Sequence, residues 1–513
     1  MRRLTTFLLL FAALQTGLVL SGGAAYAQFK ADSAKAEAIL KSRKSVTHHS
    51  VEIAGETIEY TATAGTMIIH NDQGEPIASL GYTAYTKEDV EDLSKRPVTF
   101  AYNGGPGSSS IWLHMGALGP RRVVVNDPEV TPPAPYQLTD NHYSILNVTD
   151  VVMVDPVGTG LSRAVGEAEN SDFWGIERDI MSVSRFIKTY ISENNRWNSP
   201  KYLLGESYGT TRSAGVVNYL QSREGIAMNG VILVSAVLDL RTIAFGHGDN
   251  LPYIIYLPTY AAVAWYHDQL QPQPKDLEAF LEEVREFVTT DYALALMNGD
   301  ELSEAKRNQI INKLSEYTGL SKEYIDRANL RVTGPEFSKQ LLRGEEQVVG
   351  RLDARYLGYS IDNLAQRPFY DPQSSAISPA YTSMFLKYYH EELNFGKEMQ
   401  YHISAYGLPG FDWDWSRDGS FFPTSPTTAP DLAEIMTKNP YLKVLVLNGY
   451  YDLATPFMGT EYTMNHLGIP GDLEDNIIMK YYKAGHMMYT YKPSLIKFHE
   501  DVTAFIEKTD RTE

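Results

Sequence analysis

The sequence predicts an α/β fold with a mostly parallel sheet. Two features carry this: short continuous apolar runs separated by helical stretches, and an N-terminal region with a two-residue rhythm. The runs are PVTFAYN (97–103), DVVMVDP (150–156), KYLLGES (201–207), GVILVSAV (230–237) and LKVLVLNG (442–449). Continuous β-branched segments mark strands buried on both faces, as in a parallel sheet flanked by helices. SRFIKTYISENN leads into KYLLGES, and DLAEIMTKN leads into YLKVLVL, so helix gives way to strand at both places. From 47 to 102 apolar and polar residues alternate. Turn signals at Ala64-Gly65 and at Asn71-Asp72-Gln73-Gly74 divide this stretch into an antiparallel meander.

Strand–helix alternation stops near 240 and resumes near 430. Between them KDLEAFLEEVREFV and LSEAKRNQIINKLSEY place apolar residues at helical spacing with a charged opposite face. This predicts a mostly helical cap insertion over 241–380, between core segments 28–240 and 381–513.

With 513 residues, 43% of them hydrophobic, the chain can bury a large core. Its formal charge of −18 repels phosphate backbones, which argues against a nucleic-acid partner. The absence of cysteine excludes thiolate catalysis, cysteine-ligated metals and disulfides. Residues 1–27 read as a signal peptide: Arg2 and Arg3, the apolar TFLLLFAALQTGLVL, then Ala25-Tyr26-Ala27 as a small-x-small cleavage site. An exported protein is expected, periplasmic or extracellular for a bacterial-type signal, with no membrane attachment after cleavage. The most apolar later run, YIIYLPTYAAVAW (253–265), is broken by Pro258 and reads as a packed or lid helix.

Gly205-Glu206-Ser207-Tyr208-Gly209 lies between a strand-like run and the helical TTRSAGVVNYLQSR. Strand, tight turn and helix is the context in which a serine becomes an exposed nucleophile. The Tyr208 N–H, at the positive end of the helix, can then meet a developing oxyanion. Serine needs a base, and the base a carboxylate. Asp452 in VLVLNGYYDLATP and His486 in IIMKYYKAGHMMY each follow a strand-like run, giving the chain order Ser, Asp, His.

AYNGGPGSSS (101–110), VDPVGTGLS (154–162), GESYGT (205–210), NGYYD and AGHMM together resemble the serine carboxypeptidases of the α/β-hydrolase class. The resemblance covers most of the mature chain. It implies an α/β-hydrolase fold and removal of C-terminal residues from peptides with a free C-terminus, through an acyl-enzyme and without metal or organic cofactor. By position it implies Ser207 as nucleophile, His486 as general base and then acid, and Asp452 as the group orienting His486. It places the oxyanion hole at the N–H groups of Gly105 and Tyr208, and binding of the substrate carboxylate at Asn103, the Gly104 backbone and Glu206. An esterase or acyltransferase on the same triad, and a non-catalytic binding protein on this scaffold, are the alternatives.

A carboxylate facing a carboxylate requires that one of them hold a proton. In the family a second glutamate shares it; here HMGALGP (114–120) has Ala117 at that place, which implies a less acidic optimum. Ser108 stands where the family usually has a disulfide cysteine. Three weaker patterns carry a structural reading. Asp414, Ser416, Asp418 and Gly419 imitate a calcium loop, but Ser425 replaces its bidentate glutamate. His48-His49 lacks further ligands nearby, and Gly158-x-Gly160 lacks the third glycine of a dinucleotide fingerprint.

Overall fold

A computed structural model describes residues 41–417 and 425–510. The signal-like segment 1–27, Asp418 and Gly419 lie outside the described residues. The sheet is built from β1 (Lys44–Ile53), β2 (Glu56–His70), β3 (Pro76–Lys87), β4 (Val98–Tyr102), β5 (Asp150–Val154), β6 (Lys201–Glu206), β7 (Gly230–Val234), β8 (Lys443–Gly449) and β9 (Ile477–Tyr482). Its order is β1-β2-β3-β5-β4-β6-β7-β8-β9, and Arg163–Ala164 pairs with β3 as the tenth strand. The first three strands are antiparallel, as is β3 against β5. All pairings from β5 to β9 are parallel.

Strands β4 to β7 are buried at every position, which is why they read as unbroken apolar runs. Helices α1 (Ile176–Glu193) and α2 (Tyr208–Glu224) close one face of the sheet through a core that includes Phe186, Ile187 and Val217. The other face is covered by α6 (Pro372–Glu391) and α9 (Lys492–Thr509).

The meander departs from its sequence reading at one turn. Strand β2 runs through Ala64-Gly65, and the chain reverses instead at Ala54-Gly55, with φ of 51° and 85°. Positive φ at both central residues suits a two-residue hairpin turn, whose twist matches that of the strands. Gly65 serves close approach: a Cβ there would lie 2.7 Å from the Arg43 carbonyl oxygen, which accepts from the Thr66 N–H at 2.7 Å.

Between β7 and β8 lie α3 (Leu251–Tyr266), α4 (Leu277–Phe287) and α5 (Glu304–Thr318), which share a hydrophobic cluster of their own. The loop after β8 supplies Tyr450, Tyr451 and Leu453 to that cluster, and the helix that follows supplies Phe457. Helix α3 continues through Pro258 rather than breaking there. Burial of Ile255, Leu257 and Tyr260 to Ala264 outweighs the hydrogen bond that proline cannot make. Helix α6 crosses position 380 and packs Ala376, Tyr381 and Phe385 into the main core. The remaining long helices are α7 (Ala429–Lys438) and α8 (Phe457–Asn465). Among the described residues no helix is long and apolar enough to cross a membrane.

Candidate active site

Ser207 sits at the end of β6 with φ 61° and ψ −130°, a strained position for a residue other than glycine. The turn closes because its neighbours lack side chains. A Cβ on Gly205 would overlap the Gly209 carbonyl, and one on Gly104 would lie 2.5 Å from the Tyr208 nitrogen. The Ser207 N–H donates to the Val234 carbonyl at 3.0 Å, tying the turn to β7.

Asp452 and His486 arrive on the loops after β8 and β9 and meet beside this turn. His486 Nδ1 lies 2.7 Å from Asp452 Oδ2, and both side chains are buried. Asp452 Oδ1 accepts from the N–H groups of Ala454 (2.8 Å) and Thr455 (3.0 Å), while the Thr455 hydroxyl donates to Oδ2 at 2.7 Å. Burial, the largest single influence, pulls the His486 pKa down. The charge and hydrogen bond of Asp452, with Glu206, more than offset this and leave it above the ordinary histidine value. Ser207 and His486 line one cavity of about 290 Å³. Among the described residues no hydrogen bond joins them, and in free enzymes such contacts tighten when substrate binds.

Asn103, Gly104, Gly105 and Glu206 line the same cavity. The N–H groups of Gly104, Gly105 and Tyr208 donate to no acceptor among the described residues. Gly105 has φ 106°, a conformation that favours glycine. Asn103 Nδ2 donates to Glu206 Oε1 at 2.7 Å, and Asn103 Oδ1 accepts from the Leu113 N–H at 3.0 Å. From behind, the fully buried Arg212 donates through Nε to Asp179 Oδ2 (2.7 Å) and through Nη1 to the Asn103 carbonyl (2.8 Å). Backbone pairing holds the glycine-rich loop in place. Ser109 N–H donates to Ile403 O at 2.9 Å and Ala405 N–H to Gly107 O at 2.7 Å.

The stretch 351–354, between β7 and β8, is bonded to the loops that carry Asp452 and His486. His486 N–H donates to Leu352 O (2.7 Å), Leu453 N–H to Arg351 O (3.0 Å) and Ala354 N–H to Tyr451 O (3.0 Å). Gly485 N–H donates to Asp353 Oδ2 at 2.9 Å, and Arg355 joins Asp353 to Asp127. Sequence reading missed this stretch, together with Arg212, Thr455 and Ser235, whose hydroxyl donates to His486 O at 2.7 Å. None belongs to a local pattern, because each acts through partners far away in the chain.

The weaker patterns find structural roles. His48 Nδ1 lies 2.6 Å from Glu88 Oε1, and His49 Nε2 lies 2.7 Å from Thr47 Oγ1. Among the described residues no cluster suited to a metal ion occurs. Asp414 accepts from its own loop at Ser416. Gly158 and Gly160 take positive φ, and a Cβ on Gly160 would overlap the Asp155 carboxylate.

The sequence profile of the serine carboxypeptidase family matches residues 74–498. The chain belongs to the serine carboxypeptidase family. It is 26% identical over 256 residues to serine carboxypeptidase-like 50 of Arabidopsis thaliana, covering 48% of this chain and 51% of that protein. It is 35% identical over 112 residues to serine-type carboxypeptidase F of Aspergillus niger, covering 22% and 19%. The chain thus spans about half or less of the curated relatives it matches. In fold it resembles the prohormone-processing carboxypeptidase Kex1 of Saccharomyces cerevisiae, with a TM-score of 0.54 and 16% identity, over 88% of this chain and 92% of that one. The architecture is an α/β-hydrolase fold.

In this serine carboxypeptidase family member Ala117 lies buried in the turn 114–118. The space beside that turn is taken by two tyrosines: a Cβ on Gly116 would lie 2.5 Å from the Tyr489 ring and 2.7 Å from the Tyr381 hydroxyl. Burial pushes the Glu206 carboxyl up to about 7, against lowering by His486, Tyr489 and Asn103. The Tyr489 hydroxyl stands near enough to act on that charge, and among the described residues neither it nor Glu206 Oε2 has a hydrogen-bond partner.

Proposed function

We propose that the protein is an exported serine carboxypeptidase that cleaves the last peptide bond of peptides with a free C-terminus. The observation that carries this reading is the convergence of Ser207, His486 and Glu206 on one cavity, with Glu206 Oε2 lacking a partner among the described residues. Ser207 Oγ attacks the carbonyl carbon and gives its proton to His486 Nε2, the nitrogen turned away from Asp452. The N–H groups of Gly105 and Tyr208 meet the oxyanion. His486 then protonates the departing amino acid, and a water activated by the same imidazole hydrolyses the acyl-serine. Asn103, the Gly104 N–H and a protonated Glu206 hold the terminal carboxylate. Export to the periplasm or medium is supported by the pattern of residues 1–27.

A serine-reactive phosphonate should form an adduct on Ser207 that vanishes in Ser207→Ala. Free-acid peptides should be hydrolysed far faster than their C-terminal amides. Absence of the adduct would leave a binding protein, and equal rates on acid and amide would leave an esterase or broader acyl-transfer enzyme.

The two forms of substrate should also differ in pH dependence. Glu206 loses its proton as pH rises through about 7, so KM for a free-acid peptide should climb above that pH. The limiting slope is about ten-fold per pH unit. The amide, which has no terminal carboxylate for Glu206 to meet, should show no such rise, while the requirement for neutral His486 is common to both. Measuring the acid-to-amide ratio across pH isolates Glu206, and Glu206→Gln should flatten it.

A further inference from the structure

The cavity around Ser207 is walled by apolar side chains such as Trp112, Ile377 and Met487 and by serine hydroxyls, and among the described residues Arg351 is its one permanent charge. Its backbone is fixed. Arg351 N–H donates to Asp371 Oδ2 at 2.6 Å, its carbonyl accepts from Leu453, and the next residue accepts from His486. Arg351 itself is exposed, and its guanidinium forms no ion pair or hydrogen bond among the described residues. Four residues on, Arg355 shows the opposite case, with its guanidinium shared between Asp353 and Asp127. An acidic chain has carboxylates enough to pair an idle arginine, yet this one is left open beside the reacting groups.

We propose that Arg351 is a specificity-determining residue that selects peptides carrying an aspartate or glutamate side chain next to the cleaved bond. This rests on the carboxypeptidase reading above. A planar guanidinium presents paired donors that match a carboxylate. The substrate's own terminal carboxylate is the less fitting partner. The strongest polar influences on Glu206, at the carboxylate-binding end, are His486, Tyr489, Asn103 and Asp452, whereas the charge of Arg351 is felt at His486, Tyr406 and Tyr256.

The test compares kcat/KM of the mature protein on N-acyl dipeptides with Glu, Gln or Lys at the terminal or the penultimate position. Glu should exceed Gln about ten-fold at one of the two positions, the lower end for a hydrogen bond to a charged group. Raised salt should shrink the ratio. Arg351→Gln should bring it close to one, Arg351→Lys should retain part of it, and Arg351→Glu should turn the preference toward Lys. The proposal is overturned if wild type and Arg351→Gln show the same Glu-to-Gln ratio. It is also overturned if Arg351→Gln slows every free-acid peptide by one common factor, which would assign the guanidinium to the terminal carboxylate. Failure to hydrolyse any of the peptides would sink the carboxypeptidase reading alone. Arg351 is then judged by calorimetric binding of N-acetylglutamate and N-acetylglutamine to Ser207→Ala. Preference for glutamate that is lost with Arg351→Gln supports it, and no preference overturns it.

Discussion

Asp452→Asn should lower kcat about ten-thousand-fold with a much smaller change in KM, the scale seen when a triad acid becomes its amide. Asp452 is a pure acceptor receiving four bonds, two from backbone N–H groups, one from the Thr455 hydroxyl and one from His486 Nδ1. An amide must present its NH₂ to one of these two sides. If that group faces His486, Nδ1 has to become the acceptor and the ring proton moves to Nε2, where the lone pair is needed to take the serine proton. If the amide turns the other way, its NH₂ meets the N–H groups of Ala454 and Thr455. Steady-state kinetics on a free-acid peptide decides the matter. A loss below ten-fold would mean that another group orients the imidazole.

Arg212→Met should cost about 3–5 kcal/mol of stability, the usual scale for stranding one member of a buried ion pair. Arg212 is wholly buried and Asp179 nearly so, at 0% and 2% exposure. Its ring contacts with Tyr102 and Tyr208, at 5.0 and 5.4 Å, could be kept in part by methionine, but the charge would be gone. Burial already raises the Asp179 pKa, opposed by Arg212, so removing the arginine raises it further. A raised carboxyl pKa withdraws stability as pH climbs through it. The variant should therefore lose most at neutral pH and less in acid, where Asp179 takes up a proton. Denaturant midpoints at several pH values would show this, and adding Asp179→Asn should restore part of the loss. Activity should fall too, since the Asn103 carbonyl loses its donor.

The parallel strands were readable because burial on both faces leaves little room for polar residues. The turn at Ser207 was readable because its tightness demands Gly205 and Gly209 within five positions. Asp452 and His486 were findable as an acid and a histidine in the short loops that follow strands ending at one sheet edge. Gly65 misled because glycine for a turn and glycine for a close backbone approach look alike in sequence. The packed helix around Pro258 was readable from its apolar run, and burial of α3 carries it through the proline. Thr455, Ser235, Arg212 and Arg351 gave no signal, since each depends on partners that only the folded chain brings near.

The bonding of 351–354 to the loops of Asp452 and His486 has a further meaning for how such a molecule can vary. Helices grafted here from a relative would have to keep that short stretch in register to within a hydrogen-bond length. A slip at this seam would displace acid and base together. Diversification can therefore act on an outward side chain of the seam, as at Arg351, while the path of the chain and the buried Asp353 stay fixed.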